Sequence, residues 1–325
     1  MLTVAIMLLS LMLSGEIPGW SAARAAAARA PESSTVSLRD WARAKGFAYS
    51  ANTRDKTVTL STRWAKVVFT LYSKRAEING VDMFLSFPVS VRGSAPHLSA
   101  KDMEKLIEPI LFPKSGRGRK PVTTVAICAG HGGRDPGYRV GAYEEKQFTL
   151  MLAKEVAARL AAAGLRPVMI RDTDVYVSRD DRTTIARRKG ADIFVSIHYN
   201  SAGLNSRGAN GVEVYTLAPA GTDSTNGNGT QTRLPVTGNA HDERNILLAY
   251  QVQKAMLRGI TVSDRALRRA RFEVLRDAAM PAILIEAGFM SNPAEMKRIL
   301  NPAHRRATAQ AIVDGVLAYK RMVER

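Results

Sequence analysis

Only one cysteine, Cys128, occurs in the 325 residues, so no intrachain disulfide can form and stability must come from a buried core. Aromatic residues reach just 6% and are not interleaved with the basic ones. With no recognisable binding motif either, nucleic acid is not expected as a partner. Acidic residues are also scarce: 29 Asp and Glu stand against 47 Lys and Arg, a formal net charge of +18. Such an excess predicts a polyanionic partner, the alternative being a basic surface kept for solubility. The chain shows no internal repeat, and its longest early apolar run, Leu2 to Leu13, is too short to span a bilayer as a stable helix.

What is present is ordinary for a folded protein: 46% hydrophobic and 23% charged residues. The Leu2–Leu13 run precedes a small-residue tract, Ala22 to Ala30, holding Ala23-Arg24-Ala25 and Ala28-Arg29-Ala30. Small-x-small triplets of this kind suit a signal-peptidase site, so residues 1–30 are expected to be a signal peptide and the protein exported. A buried N-terminal helix is the other reading. Pro113 to Pro121, rich in Gly, Pro and like charge, reads as a linker, placed at 112–121. Before it, residues 34–111 read as a small α+β unit. A short helix opens at Val36 to Trp41, strands follow at Thr57–Ser61 and Val67–Leu71, Ile78–Val81 is a turn, and Ser99 is positioned to cap a second helix. In the order of a helix, "KTVTLS", "EINGVDMFLSFPV" and a second helix, this unit resembles the copper-amine-oxidase N-terminal-like domain. No metal site follows from that resemblance. A wall- or partner-binding module and a passive spacer are both open readings.

Residues 122–325 alternate strand with helix. Val122 to Cys128 is a continuous apolar strand, as expected where both faces are covered. Phe148, Leu152, Val156 and Leu160 recur at helical spacing, and Gly164 stops that helix. Further strands are expected at 166–170, 193–198, 211–217 and 282–286, and helices at 179–189, 245–258 and 302–322. The alternation specifies an α/β domain whose sheet is mostly parallel, with helices on both faces.

Three of these strands end in a group able to bind metal or move protons. The first runs into Gly130-His131-Gly132-Gly133, another ends at His198, and a third at Glu286. Carboxyl ends of parallel strands line the ligand crevice, so these residues converge, and Glu145 at the start of the first helix can join from the side. Taken singly, a histidine after a strand is an ordinary loop residue and a helix-start glutamate a dipole partner. Two of only five histidines both closing apolar strands is a stronger signal. Two imidazoles and one carboxylate make a catalytic zinc set with water in the fourth position. A further carboxylate off the metal must then move the proton, and Glu286, fixed by its strand, suits that role.

Five separated blocks carry a resemblance: "GHGGRDPG" (Gly130 to Gly137), "EK" (Glu145-Lys146), "ADIFVSIHYN" (Ala191 to Asn200), "GVEVYTL" (Gly211 to Leu217) and "MPAILIEAGFMSNP" (Met280 to Pro293). In their order and content, residues 122 to about 322 resemble the catalytic domain of the zinc-dependent N-acetylmuramoyl-L-alanine amidases. The resemblance implies a twisted sheet flanked by helices and one zinc ion on His131, Glu145 and His198. It implies Glu286 as catalytic acid/base, and hydrolysis of the N-acetylmuramic acid–L-alanine amide of peptidoglycan, in the periplasm or cell wall. Two positions depart from the pattern. Cys128-Ala129 replaces the usual Asp-Pro, which bears on how His131 is supported, and Arg187 stands where Asn is common. Cys128 reads as a buried strand thiol, competition for zinc being the other possibility. The Ala218–Gly238 loop lacks apolar periodicity, unlike a helical plug, so the site is expected to be open without an activator.

Arg265, Arg268, Arg269, Arg271 and Arg276 crowd the stretch before the Glu286 strand. Stem peptides carry free carboxylates, which arginine's planar fork suits. Arg268, Arg269 and Arg271, with Asn200, are the candidate substrate contacts, and a solvated helix face is the alternative for the arginines. The basic surface also suits other anionic envelope polymers. A non-catalytic cell-wall-binding protein on the same fold is the rival reading.

Overall fold

The structure is a computed structural model that describes residues 34–115, 120–202, 208–227 and 234–324. The expected signal peptide and part of the expected linker lie outside the described residues. Eight strands precede residue 115: β1 (Thr35–Ser37), β2 (Ala48–Asn52), β3 (Thr57–Ser61), β4 (Lys66–Thr70), β5 (Arg75–Ile78), β6 (Val81–Phe84), β7 (Ser90–Arg92) and β8 (Ala95–Ser99). Eight follow: β9 (Thr124–Ala129), β10 (Arg139–Val140), β11 (Tyr143–Glu144), β12 (Arg166–Met169), β13 (Ile193–Asn200), β14 (Val212–Thr216), β15 (Asp264–Arg269) and β16 (Ala282–Phe289).

Eleven of them form one sheet, in the order β12-β9-β13-β16-β14-β15-β6-β5-β4-β3-β2. In the half formed by residues after 122, pairing is parallel except between β14 and β16. The β2–β6 half is an antiparallel meander. The whole sheet is therefore mixed, and the mostly parallel reading holds for its C-terminal half. The short loops of residues 48–84 permit only hairpins, whereas the helical crossovers after residue 122 permit parallel pairing.

The two halves join where β6 pairs parallel to β15, Met83 opposite Leu267. One continuous core runs from Leu38, Val58 and Phe69 through Val125, Val195 and Ile285 to Val316 and Val323. Each fully buried aliphatic side chain there contributes roughly 1.5–3 kcal/mol, so the halves stabilise each other. The seam is polar as well as apolar. Arg269 Nη2 donates to Asp102 Oδ1 at 2.9 Å, with side chains 3% and 0% exposed, and to Phe84 O at 2.9 Å. Strands β2–β6 of residues 34–111 are thus built into the large sheet, while β1, β8 and β7 form a separate three-stranded sheet beside it.

Strand periodicity divides the C-terminal half into two layers. Val125, Ile127, Val195, Ile197, Ile283 and Ile285 face the larger core, under the helices Glu145–Ala162, Asp242–Gly259 and Pro302–Val323. Ala126, Cys128, Phe194, Leu284 and Tyr215 face a smaller core, covered by the helix Arg179–Arg188 and the short turn Glu273–Arg276. That thinner cover leaves the late residues of β13 and β16 open on this face, and the site lies there. No helix among the described residues is long and apolar enough to cross a membrane.

Candidate metal centre and cleft

β9 is buried along its whole length and hands directly to Gly130-His131. Gly130 N donates to Ile197 O at 2.9 Å, so the loop starts tied to β13. A Cβ at Gly130 would overlap the His198 imidazole. One at Gly137, where φ is +66°, would come within 2.6 Å of Glu145 Oε2 and His131 Cδ2. These two glycines leave the room in which the three candidate ligands meet. His131 itself holds φ +59°, a left-handed conformation costing a β-carbon residue about 1–3 kcal/mol.

Two buried arginines hold that strained turn. Arg182 donates from Nη1 to Ala129 O (2.9 Å) and Cys128 Sγ (3.2 Å), from Nη2 to His131 O (2.9 Å) and from Nε to Val177 O (3.2 Å). Arg171 donates from Nη2 to Gly130 O (2.7 Å) and Lys146 O (3.0 Å), and from Nε to Ala129 O (3.1 Å). Cys128 is a buried thiol under Arg182 and has no place in the ligand group.

His131, Glu145 and His198 converge, and their ligand atoms all lie within 4.8 Å of one another. Glu145 opens its helix at the carboxyl edge of the sheet, buried beneath both imidazoles. His131 Nε2 is 3.1 Å from its Oε2, and His198 Nδ1 is 3.1 Å from its Oε1. Backbone N–H groups of Tyr138 (3.0 Å) and Tyr199 (3.1 Å) donate to the same carboxylate. Burial opposes ionisation of Glu145, yet the hydrogen bonds and charges of the two imidazoles hold it well below the usual carboxylate range. His198 is lowered, chiefly by burial, with Glu145 opposing. Burial also acts to lower His131, but Glu145 and Asp135 outweigh it and the ring is raised.

This donor set fits zinc. Two imidazole nitrogens and a buried carboxylate that converge within 4.8 Å would hold it, the usual donor types for that ion. The remaining His131 nitrogen, Nδ1, lies 2.9 Å from Asp135 Oδ2, the outer carboxylate that orients a histidine ligand. Asp135 was missed from sequence. Its signal was available, a carboxylate four residues after the histidine inside the quoted block, and it supplies the support that the absent Asp-Pro left in question.

Glu286 faces His198 across β13/β16 and Glu213 across β14/β16, so the three side chains sit in a row on one face. Glu286 Oε2 is shut from solvent and has no hydrogen-bond partner among the described residues. Burial, then the charges of Glu145 and Glu213, raise its pKa well above the usual carboxylate range. His131, His198 and Glu286 line one cleft of about 390 Å³ together with Asp135, Arg179, Arg182, Arg271, Phe272 and Glu273.

The arginine stretch is a strand for the most part, β15, and not a helix face. Its members separate accordingly. Arg265 and Arg268 turn to Glu213 Oε1, at 2.7 and 3.3 Å. Arg269 is sealed against Asp102 in the seam, away from the cleft, which removes the geometric basis for a substrate contact there. Asn200 Nδ2 donates to Glu213 Oε2 at 3.2 Å, within the same buried network as Tyr215. Only Arg271 of these candidates reaches the cleft wall. Arg179 and Glu273, paired at 3.0 Å across 94 positions of sequence, carried no local signal. The described part of the 218–238 region contains no inserted helix ahead of the 3-10 turn Thr237–His241.

Residues 125–318 match the family of N-acetylmuramoyl-L-alanine amidases. Among curated relatives, the N-acetylmuramoyl-L-alanine amidase LytC of Bacillus subtilis is 29% identical over 70% of this chain and 40% of its own length. The amidase AmiC of Neisseria meningitidis is 34% identical over 64% and 55%. The chain thus spans about half the length of these relatives. Among solved structures, the amidase AmiC2 of Nostoc punctiforme is 35% identical, with 63% of this chain and 98% of that one covered at a TM-score of 0.51. An amidase from Clostridium difficile 630 is 34% identical, with 62% and 97% covered, also at 0.51. With well over half its length matched, and with that match containing all four residues of the metal group and its neighbouring glutamate, this chain belongs to the N-acetylmuramoyl-L-alanine amidase family.

Proposed function

We propose that this chain hydrolyses the amide bond between N-acetylmuramic acid and L-alanine in peptidoglycan, with one zinc ion held by His131, Glu145 and His198. The observation that carries the reading is the meeting of these three side chains, 4.8 Å or less apart at their ligand atoms, with Glu286 directly opposite His198 and its Oε2 shut from solvent and unpartnered among the described residues. Bound zinc would supply Lewis acidity, lowering the pKa of water toward neutrality and polarising the scissile carbonyl. Glu286 holds and moves the proton: fixed by β16, with its Oε2 unpartnered among the described residues, it takes one from water and passes it to the leaving nitrogen. Asp135 orients the His131 ring, while Arg171 and Arg182 keep the His131 turn closed. A carboxyl oxygen shut from solvent and unpartnered among the described residues, as Glu286 Oε2 is, is costly to keep for structure alone, which favours turnover over wall binding without hydrolysis.

This reading puts the protein outside the cytoplasm, in the periplasm or at the cell wall, where its net charge of +18 also suits anionic envelope polymers. Purified sacculi incubated with the protein should release stem peptides, and mass spectrometry should place the cut at the lactyl amide. Chelation should abolish release and zinc should restore it. Sacculus binding without any solubilised peptide, with zinc loaded, is the result that would favour the non-catalytic alternative.

A further inference from the structure

We propose that Arg271, with Arg179 beside it, forms a subsite for a free carboxylate of the stem peptide; this rests on the amidase reading above and names the part of the peptide that the cleft selects. The other cleft and near-cleft arginines are already committed. Arg182 spends all three of its nitrogens on Val177, Ala129 and His131 carbonyls and the Cys128 thiol. Arg265 and Arg268 hold Glu213, and Arg269 holds Asp102. Arg271 differs. It is only 3% exposed, lines the same cleft as His131, His198 and Glu286, and makes no ion pair among the described residues.

Its Nη1 donates to Leu234 O at 3.0 Å and its Nη2 to Pro219 O at 3.3 Å. Nε is buried and without a partner among the described residues. A guanidinium has five N–H donors; the two carbonyls fix the group's position and Nε is left unmet among the described residues. A buried cation in this condition is costly until an anion completes it. Burial already lowers its pKa.

Two neighbours set the kind of anion. Phe272, Val274 and Leu284 make the wall beside Arg271 apolar, which suits the aliphatic stretch of a peptide more than a hydrated inorganic ion. Arg179 pairs with Glu273, two residues from Arg271, and both side chains are exposed, at 71% and 43%. Such a pair contributes little and yields readily to an incoming carboxylate. In an extended stem peptide the α-carboxylate of the second residue lies about two residue lengths, roughly 7 Å, from the bond cut. A cleft of about 390 Å³ holds a ligand of that reach.

The test is calorimetric binding to the full-length, zinc-loaded chain of two non-hydrolysable product peptides. One is L-alanyl-γ-D-glutamyl-L-lysine amide with a free α-carboxylate on its glutamate, and the other carries an α-carboxamide at that position. The acid should bind about 10- to 100-fold more tightly than the amide, as expected for a charge-assisted fork. Arg271→Gln should bring that ratio near one. Arg271→Lys keeps the charge but loses the fork and should give an intermediate ratio. Arg179→Gln, an exposed change that cannot unfold the chain, should reduce the ratio several-fold and covers the case in which the Arg271 variants fail to fold. A ratio near one in the unsubstituted protein, or a ratio untouched in Arg179→Gln and in folded Arg271 variants, overturns the proposal. Peptide release from sacculi is read separately. Release without a charge preference sinks only this subsite, and a charge preference without release sinks only the amidase reading.

Discussion

Removing Asp102 should show that residues 34–111 and the half carrying the metal group unfold as one body. Its carboxylate is wholly buried and holds three donors: Arg269 Nη2 at 2.9 Å, Ser86 N at 2.8 Å and Phe87 N at 3.1 Å. Asp102→Ala leaves the Arg269 guanidinium, itself 3% exposed, buried and without its counter-charge. Breaking one partner of a buried pair costs about 3–5 kcal/mol. For a body of this size each kcal/mol shifts the melting temperature by about 2–4 °C, so a loss of roughly 6–20 °C is expected. Asp102→Asn, which keeps an acceptor but loses the charge, should fall between. The double variant Asp102→Leu with Arg269→Met removes both charges and should recover much of the loss, because desolvation no longer has to be offset. The assay is thermal unfolding followed at once by far-ultraviolet circular dichroism and by Trp fluorescence, which reports Trp41 and Trp64 in the N-terminal half. A single transition that moves in both probes is required. Two separate transitions, or a shift of less than 2 °C for Asp102→Ala, would refute the shared-sheet reasoning.

Glu286→Gln should retain zinc while losing turnover by about 10²–10⁴-fold, the usual contribution of a positioned acid/base; metal analysis and peptide release from sacculi check the two halves. Asp135→Ala removes the outer carboxylate of His131 and should weaken zinc binding about 10- to 100-fold in a competitive chelator titration. Gly130→Ala drives a methyl into the His198 ring and should abolish zinc binding in the same titration while the far-ultraviolet spectrum is kept. Asp242 has its pKa raised to about 6, chiefly by burial. The folded state then binds the proton more tightly than the unfolded one, so this group lowers stability as pH rises from about 4 to about 6. Asp242→Asn should flatten that part of the denaturant-midpoint profile; an unaltered slope would show that Asp242 is not its source.

The metal trio and Glu286 were legible in the sequence because strand-end chemistry is local. An apolar strand has a fixed direction and alternation, so a residue late in it is placed by the strand itself, as with His198 in β13 and Glu286 in β16, although both strands run on past the expected ends, to Asn200 and Phe289. Asp135 lay within reach of the same reasoning. The helices, too, followed from local periodicity, as Phe148, Leu152, Val156 and Leu160 do along one buried face.

The arginines could not be sorted that way. Arg268, Arg269 and Arg271 are near neighbours in sequence and alike in chemistry, yet one turns to Glu213, one to Asp102 and one to the cleft. Alternation along β15 sends adjacent side chains to opposite faces, and what waits on each face comes from residues 52 to 185 positions away. The union of the two halves in one sheet was hidden for the same reason: the Met83–Leu267 pairing joins segments that no local pattern relates. Sequence by itself determined which groups could do the chemistry, because backbone direction and residue type are local properties. Tertiary structure alone decided which charges neutralise one another and which remain free in the cleft, because a guanidinium's partner is chosen by distance in space.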